Sequence, residues 1–144
     1  EIRLSLVGSE MCIRDSNGAE VNTAKIANET PDLTMFNGHA NQYVFEPLKA
    51  RVGERVRIWV LAAGPSRGCS FHVVGTQFDT VFKEGAYTLK RGNPEGGGCQ
   101  ALDLASAQGG FVEMVFEEPG RYTFVNHSFV EMERGAKGFI EVTT

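Results

Sequence analysis

From Pro31 onward the chain runs in short stretches where apolar residues recur at every second position, separated by glycine and proline. A side-chain period of two is the mark of a strand with one dry face and one wet face, whereas a helix needs a period near 3.6. Short strands punctuated by turn residues predict an all-β antiparallel sandwich. Arg55 to Val60 alternates most cleanly, with Val56, Ile58 and Val60 on one face and Arg55, Arg57 and Trp59 on the other. Further strands are expected at Cys69 to Val74, Thr80 to Phe82, Val112 to Phe116, Arg121 to Asn126 and Gly138 to Val142. Ser128 to Arg134 has room for about two turns of helix, and Gly135 is placed to end it. Lys83 to Gly98 holds five glycines and a proline with no sustained period, and reads as a long surface loop.

One core accounts for the length. A chain of 144 residues buries roughly two-thirds of its unfolded surface in a single domain. The net charge of −4 gives no broad positive field, which argues against nucleic acid as a partner. No apolar run approaches the ~20 residues of a bilayer-crossing helix, so no membrane segment is expected in this chain, and Leu4 to Gly8 is too short for a signal-peptide core. Residues 1–16, EIRLSLVGSEMCIRDS, resemble the translated read-through of a sequencing adapter. They are treated as a non-native leader, followed by a linker at 17–30 and a domain at 31–144, with an upstream domain expected to be missing.

Chemistry reduces to three histidines and three cysteines, of which Cys12 lies in the leader. A blue-copper centre takes one cysteine and two histidines, commonly with a weak axial methionine. His127 and Met132 have the spacing of the end of such a site, but Glu118 stands nine residues before His127, where the thiolate is needed. His127 is followed by Ser128 and Phe129, so there is no His-Cys-His triplet either. Cys69 and Cys99 are either a disulfide tethering the glycine-rich loop or two separate thiols. Cys69 and His72 fall on opposite faces of one strand, which argues against a metal pair. His39, in Asn-Gly-His, reads as a turn residue, and Trp59 as a packing residue.

Two stretches carry a more specific signal: GPSRGCSFHVVGTQFDTVF from Gly64 to Phe82, and GRYTFVNHSFVEMERGAKGFIEV from Gly120 to Val142. Together with PDLTMFNGHANQY near Pro31, they resemble the second, C-terminal cupredoxin domain of copper-containing nitrite reductases and related multicopper oxidase-like proteins. The resemblance implies a Greek-key cupredoxin sandwich with one short helix near its C-terminus. It further implies that His127, in Val-Asn-His, is the one ligand this domain gives to a type 2 copper shared with another domain. His72, in Ser-Phe-His-Val-Val-Gly, would be the proton-handling catalytic residue beside that copper, and Val74 would cap the substrate pocket. The two histidines are 55 residues apart, near what the family shows.

By the same resemblance the copper lies between subunits, usually of a homotrimer, and a type 1 copper belongs only to the missing N-terminal domain. The reaction implied is reduction of nitrite to nitric oxide with an electron from a donor protein, in the periplasm or outside the cell. A departure stands at Ala101, after Gln100, where the family tends to place a hydroxyl that supports the proton-handling histidine. Alanine cannot make that bond. This keeps two alternatives open: a multicopper oxidase-like enzyme with another substrate, and a non-catalytic cupredoxin domain used in assembly.

Overall fold

Arg55–Gly64 buries Val56, Ile58, Val60 and Ala62 and turns the residues between them outward, so the alternation in the sequence is the alternation of the pleat. The structure, a computed structural model, describes residues 2–7, 14–15, 18–19 and 22–144. Its strands are β1 (Ile2–Val7), β2 (Arg14–Asp15), β3 (Gly18–Ala19), β4 (Met35–Phe36), β5 (Leu48–Arg51), β6 (Arg55–Gly64), β7 (Cys69–Val73) and β8 (Thr80–Lys83). They continue with β9 (Ala86–Leu89), β10 (Ala101–Leu104), β11 (Gly109–Val115), β12 (Gly120–Asn126) and β13 (Lys137–Thr143). Three short helices accompany them, α1 (Thr23–Ala27), α2 (Gln42–Phe45) and α3 (Phe129–Glu133).

The strands form two main sheets, in the orders β4-β1-β6-β11-β8-β9 and β10-β7-β12-β13-β5. The chain changes sheet between β4 and β5, β5 and β6, β6 and β7, β7 and β8, β9 and β10, β10 and β11, and β11 and β12. That interleaving makes the sandwich a Greek key, because sequence neighbours end up facing each other across the core rather than pairing. Between the sheets Phe36, Phe71, Phe78, Phe116 and Phe124 are essentially fully buried, with Ile58, Met114, Leu102 and Ile140 filling the gaps. Phe71 touches three of these rings, with centroids 6.0 to 6.3 Å away, which are ordinary aromatic separations.

The strands expected at Arg55, Cys69, Thr80, Val112, Arg121 and Gly138 are all present, and the helix after Ser128 is α3. Two places differ. The glycine-rich stretch from Lys83 contains β9, which pairs antiparallel with β8 and whose residues are mostly exposed. It is an edge strand held by its ladder alone, so it has no buried face to write an apolar alternation into the sequence. The other is Ile2–Val7, treated as lying outside the fold: it runs parallel to β6 from Ile2 opposite Ile58 to Leu6 opposite Ala62, and Ile2 packs against the core. Ile2, Leu4 and Leu6 do alternate with Arg3 and Ser5, a pattern that six residues make too short to separate from chance. The remainder of the leader, apart from Arg14–Asp15, lies outside the described residues.

Candidate metal centre

Strand β7 buries Cys69, Phe71 and Val73 and turns Ser70 and His72 outward, so the thiol and the imidazole do lie on opposite faces. β12 pairs antiparallel with β7, setting Val125 opposite His72 and Asn126 opposite Phe71. The ladder runs one residue past the strand, where the His127 amide donates to the Ser70 carbonyl at 2.8 Å. His127 is therefore a diagonal cross-strand neighbour of His72, the distance at which long side chains meet. The ring centroids are 5.4 Å apart in an edge-to-face arrangement. Residues 55 positions apart are thus brought together by the register of one strand pair.

Each imidazole has its own support. A backbone carbonyl can only accept, so the hydrogen bond between His72 Nδ1 and the Gln100 carbonyl fixes the proton on Nδ1. The neutral ring then keeps Nε2 as its proton-accepting nitrogen. Ala101 sits directly opposite His72 in the β10–β7 pair, and its methyl offers no hydrogen bond. The orientation expected from a side-chain hydroxyl is supplied by the neighbouring backbone. That contact leaves no trace in the sequence, because any residue has the carbonyl.

His127 is exposed, and its ring stacks on Phe129 at 4.8 Å with 24° between the planes. Asn126, 1% exposed, accepts from the Ser70 amide at 3.1 Å and the Ser128 amide at 3.3 Å, pinning the backbone on both sides of His127. Val74, two residues after His72 along the chain, is about half exposed, as are Phe129, whose ring meets His127, and the next residue of α3, Val130. Sequence reasoning singled out His72, His127 and Val74 but missed the roles of Gln100, Asn126 and Phe129, of which only Asn126 had a signal, as a polar residue directly after the apolar pair Phe124-Val125.

The cysteines do not join this group. Both are free thiols, so of the two readings the structure has separate thiols. Cys69 is 3% exposed, facing the core and away from His72, and burial pushes its thiol up to about 12. The half-buried Cys99 thiol donates to the Ala101 carbonyl at 3.1 Å. Glu118 is exposed beyond the start of β12, its carbonyl taking the Tyr122 hydroxyl at 2.9 Å. His39 sits in a turn with Nδ1 against the Ala40 carbonyl, and Trp59 packs on Phe111 at 4.8 Å. Among the described residues no three His, Cys, Asp or Glu side chains converge on one point.

A copper-containing nitrite reductase of Neisseria gonorrhoeae is 35% identical over 120 residues, 82% of this chain but only 29% of that protein. The chain therefore spans less than a third of the length of the curated relatives it matches. The solved copper-containing nitrite reductase of Thermus scotoductus superposes with a TM-score of 0.74 at 27% identity, covering 98% of this chain and 29% of the other. That of Nitrosomonas europaea gives 0.79 at 22% identity, covering 100% and 49%. Solved multicopper oxidases share the fold at 22% identity or less. No family model matches the chain. Sequence and fold together make the chain a cupredoxin-like domain similar in sequence to part of the copper-containing nitrite reductases, with the multicopper oxidases sharing its fold.

Proposed function

We propose that the chain is the C-terminal half of a copper-dependent nitrite reductase, giving His127 to a type 2 copper shared with another domain and His72 to proton transfer beside it. The observation that carries this reading is the pair of imidazoles 5.4 Å apart, one of them exposed and stacked on the half-exposed Phe129 ring. Copper favours imidazole donors, and a three-histidine centre leaves a position open for substrate. A lone exposed histidine without a carboxylate or thiolate beside it fits one share of such a centre, the rest coming from another subunit of a homotrimer. When bound, the copper supplies an electron and a Lewis-acid position for nitrite.

The chain's own part in the chemistry is proton handling and shape. Nitrite takes up one electron and two protons, one N–O bond breaks, and nitric oxide and water leave. His72, with Nδ1 held by Gln100, is free to give a proton from Nε2 to the departing oxygen and take another from solvent. Val74, half exposed two residues after His72, would narrow the space above nitrite and keep water from it. A type 1 copper held by another domain would supply the electron, received from a donor protein in the periplasm or outside the cell.

The test is made in the complete protein. His127→Ala is expected to lose type 2 copper and nitrite reduction together. His72→Ala is expected to keep the copper, lower kcat by about 100-fold or more and flatten the pH profile. Full copper content and activity in His127→Ala would sink the reading. One observation favours a second reading, an oxidase-like enzyme with another small substrate: Ala101 puts a methyl opposite His72. It predicts turnover of other substrates in place of nitrite.

A further inference from the structure

Glu131 is 3% exposed, the only acidic residue buried among those described. A carboxylate out of water costs several kcal/mol unless it is paired and hydrogen-bonded. Glu131 is both. The Thr34 hydroxyl, itself buried, donates to one oxygen, and Arg67 Nη1 donates to the other at 3.2 Å. Arg67 also reaches Glu29, 3.0 Å from its Nε. The carboxylate thus ties α3 to the segment before β4 and to the loop before β7.

Helix α3 needs such a tie. Five residues are too few to hold a helix in water, and its N-cap Ser128 makes no side-chain capping bond. Beyond α3, Gly135 at φ +121° lies against Thr34, where an added Cβ would meet the Thr34 carbonyl at 2.7 Å. Thr34 therefore receives the helix at two points, through Glu131 and through Gly135. Phe129, the ring under His127, is the first residue of this helix. No hydrogen bond to the His127 ring is found among the described residues, so its orientation rests on Phe129 and the edge of His72.

We infer that Glu131 is a positioning residue for His127, acting through α3 and Phe129. The inference deepens the copper reading above and rests on it for its meaning, while its geometry can be tested without metal. In the 144-residue chain, ring-to-ring nuclear Overhauser contacts report the His127–Phe129 and His72–His127 pairs directly. Glu131→Ala is expected to abolish both contacts, and Glu131→Gln, which keeps the length and one acceptor, to restore most of their intensity. Val56→Ala, in the other sheet, is expected to lower stability and leave both contacts intact. Thr34→Val, which removes only the hydroxyl donor, gives the same readout if Glu131→Ala fails to fold.

In the complete protein, copper affinity measured by competition with a chelator should fall roughly 10- to 100-fold in Glu131→Ala. Its copper resonance spectrum should change as well. Unchanged ring contacts in Glu131→Ala, or equal losses in Val56→Ala, would overturn the inference. So would wild-type copper affinity in Glu131→Ala when the parent does bind copper through His127. A parent that binds no copper there would defeat the functional reading alone, and the ring contacts would still decide the role of Glu131.

Discussion

Asp79 shows how one residue can make this sandwich sensitive to acid. Its carboxylate receives both terminal nitrogens of Arg55, at 2.9 and 2.7 Å, and the Thr80 hydroxyl at 2.9 Å. The Arg55 hydrogen bonds hold its pKa below the ordinary carboxylate value, against an opposing push from burial. The folded value lies below the unfolded one, so the stabilisation is complete above about pH 3.9 and fades as pH falls towards the folded pKa. The pair is about one-third exposed, so solvent screening keeps its worth to about 1 kcal/mol or less. Asp79→Asn is expected to lower the urea midpoint slightly at neutral pH and to remove part of the loss seen below pH 4, as unfolding curves across pH 2.5 to 7 would reveal. The histidines were legible because a few flanking residues identify them. Arg55 as the partner of Asp79, Thr34 and Arg67 as those of Glu131, and Gln100 as that of His72 were not, because each lies tens of residues away along the chain.

At the scale of elements, legibility followed burial on one face. β6, β7 and β13 hide alternate residues while β11 and β12 bury three in succession, and all five showed themselves as short apolar stretches between turn residues. β5, β9 and β10 are four-residue strands at sheet edges, where a short ladder and an open side leave little pattern to read. A glycine inside β11 carries the opposite kind of information. A Cβ on Gly110 would stand 2.2 Å from the Phe82 carbonyl of β8, so the two strands are closer here than any side chain allows. Gly110→Ala should push β8 from β11 and disturb the pairing of Phe111 with Phe82 that continues on the outer face as two stacked rings 5.1 Å apart. The expected loss is about 1–3 kcal/mol, as for other overpacked sites, measured by chemical denaturation. Near-wild-type stability would mean that the β8–β9 edge moves freely enough to absorb a methyl group.

The whole molecule seats His72 and His127 side by side and its N-terminal strand inside a sheet, and the second placement has the wider consequence. β1 lies between β4 and β6, so β6 has a neighbour on both sides only while Ile2–Val7 is present. The pairing is parallel, and therefore depends on a chain returning from a distance rather than on a hairpin. Without it, β6 becomes an open edge of ten residues, long and apolar on one face, and such edges recruit other strands. A chain beginning after Val7 is therefore expected to unfold at a lower denaturant concentration and to self-associate in sedimentation runs at high concentration. Supplying the missing strand as a separate peptide should reverse both effects, since the edge offers the same donors and acceptors to any partner that fits. The opposite result, an unchanged midpoint and a monomer, would favour the reading of residues 1–16 as a foreign leader.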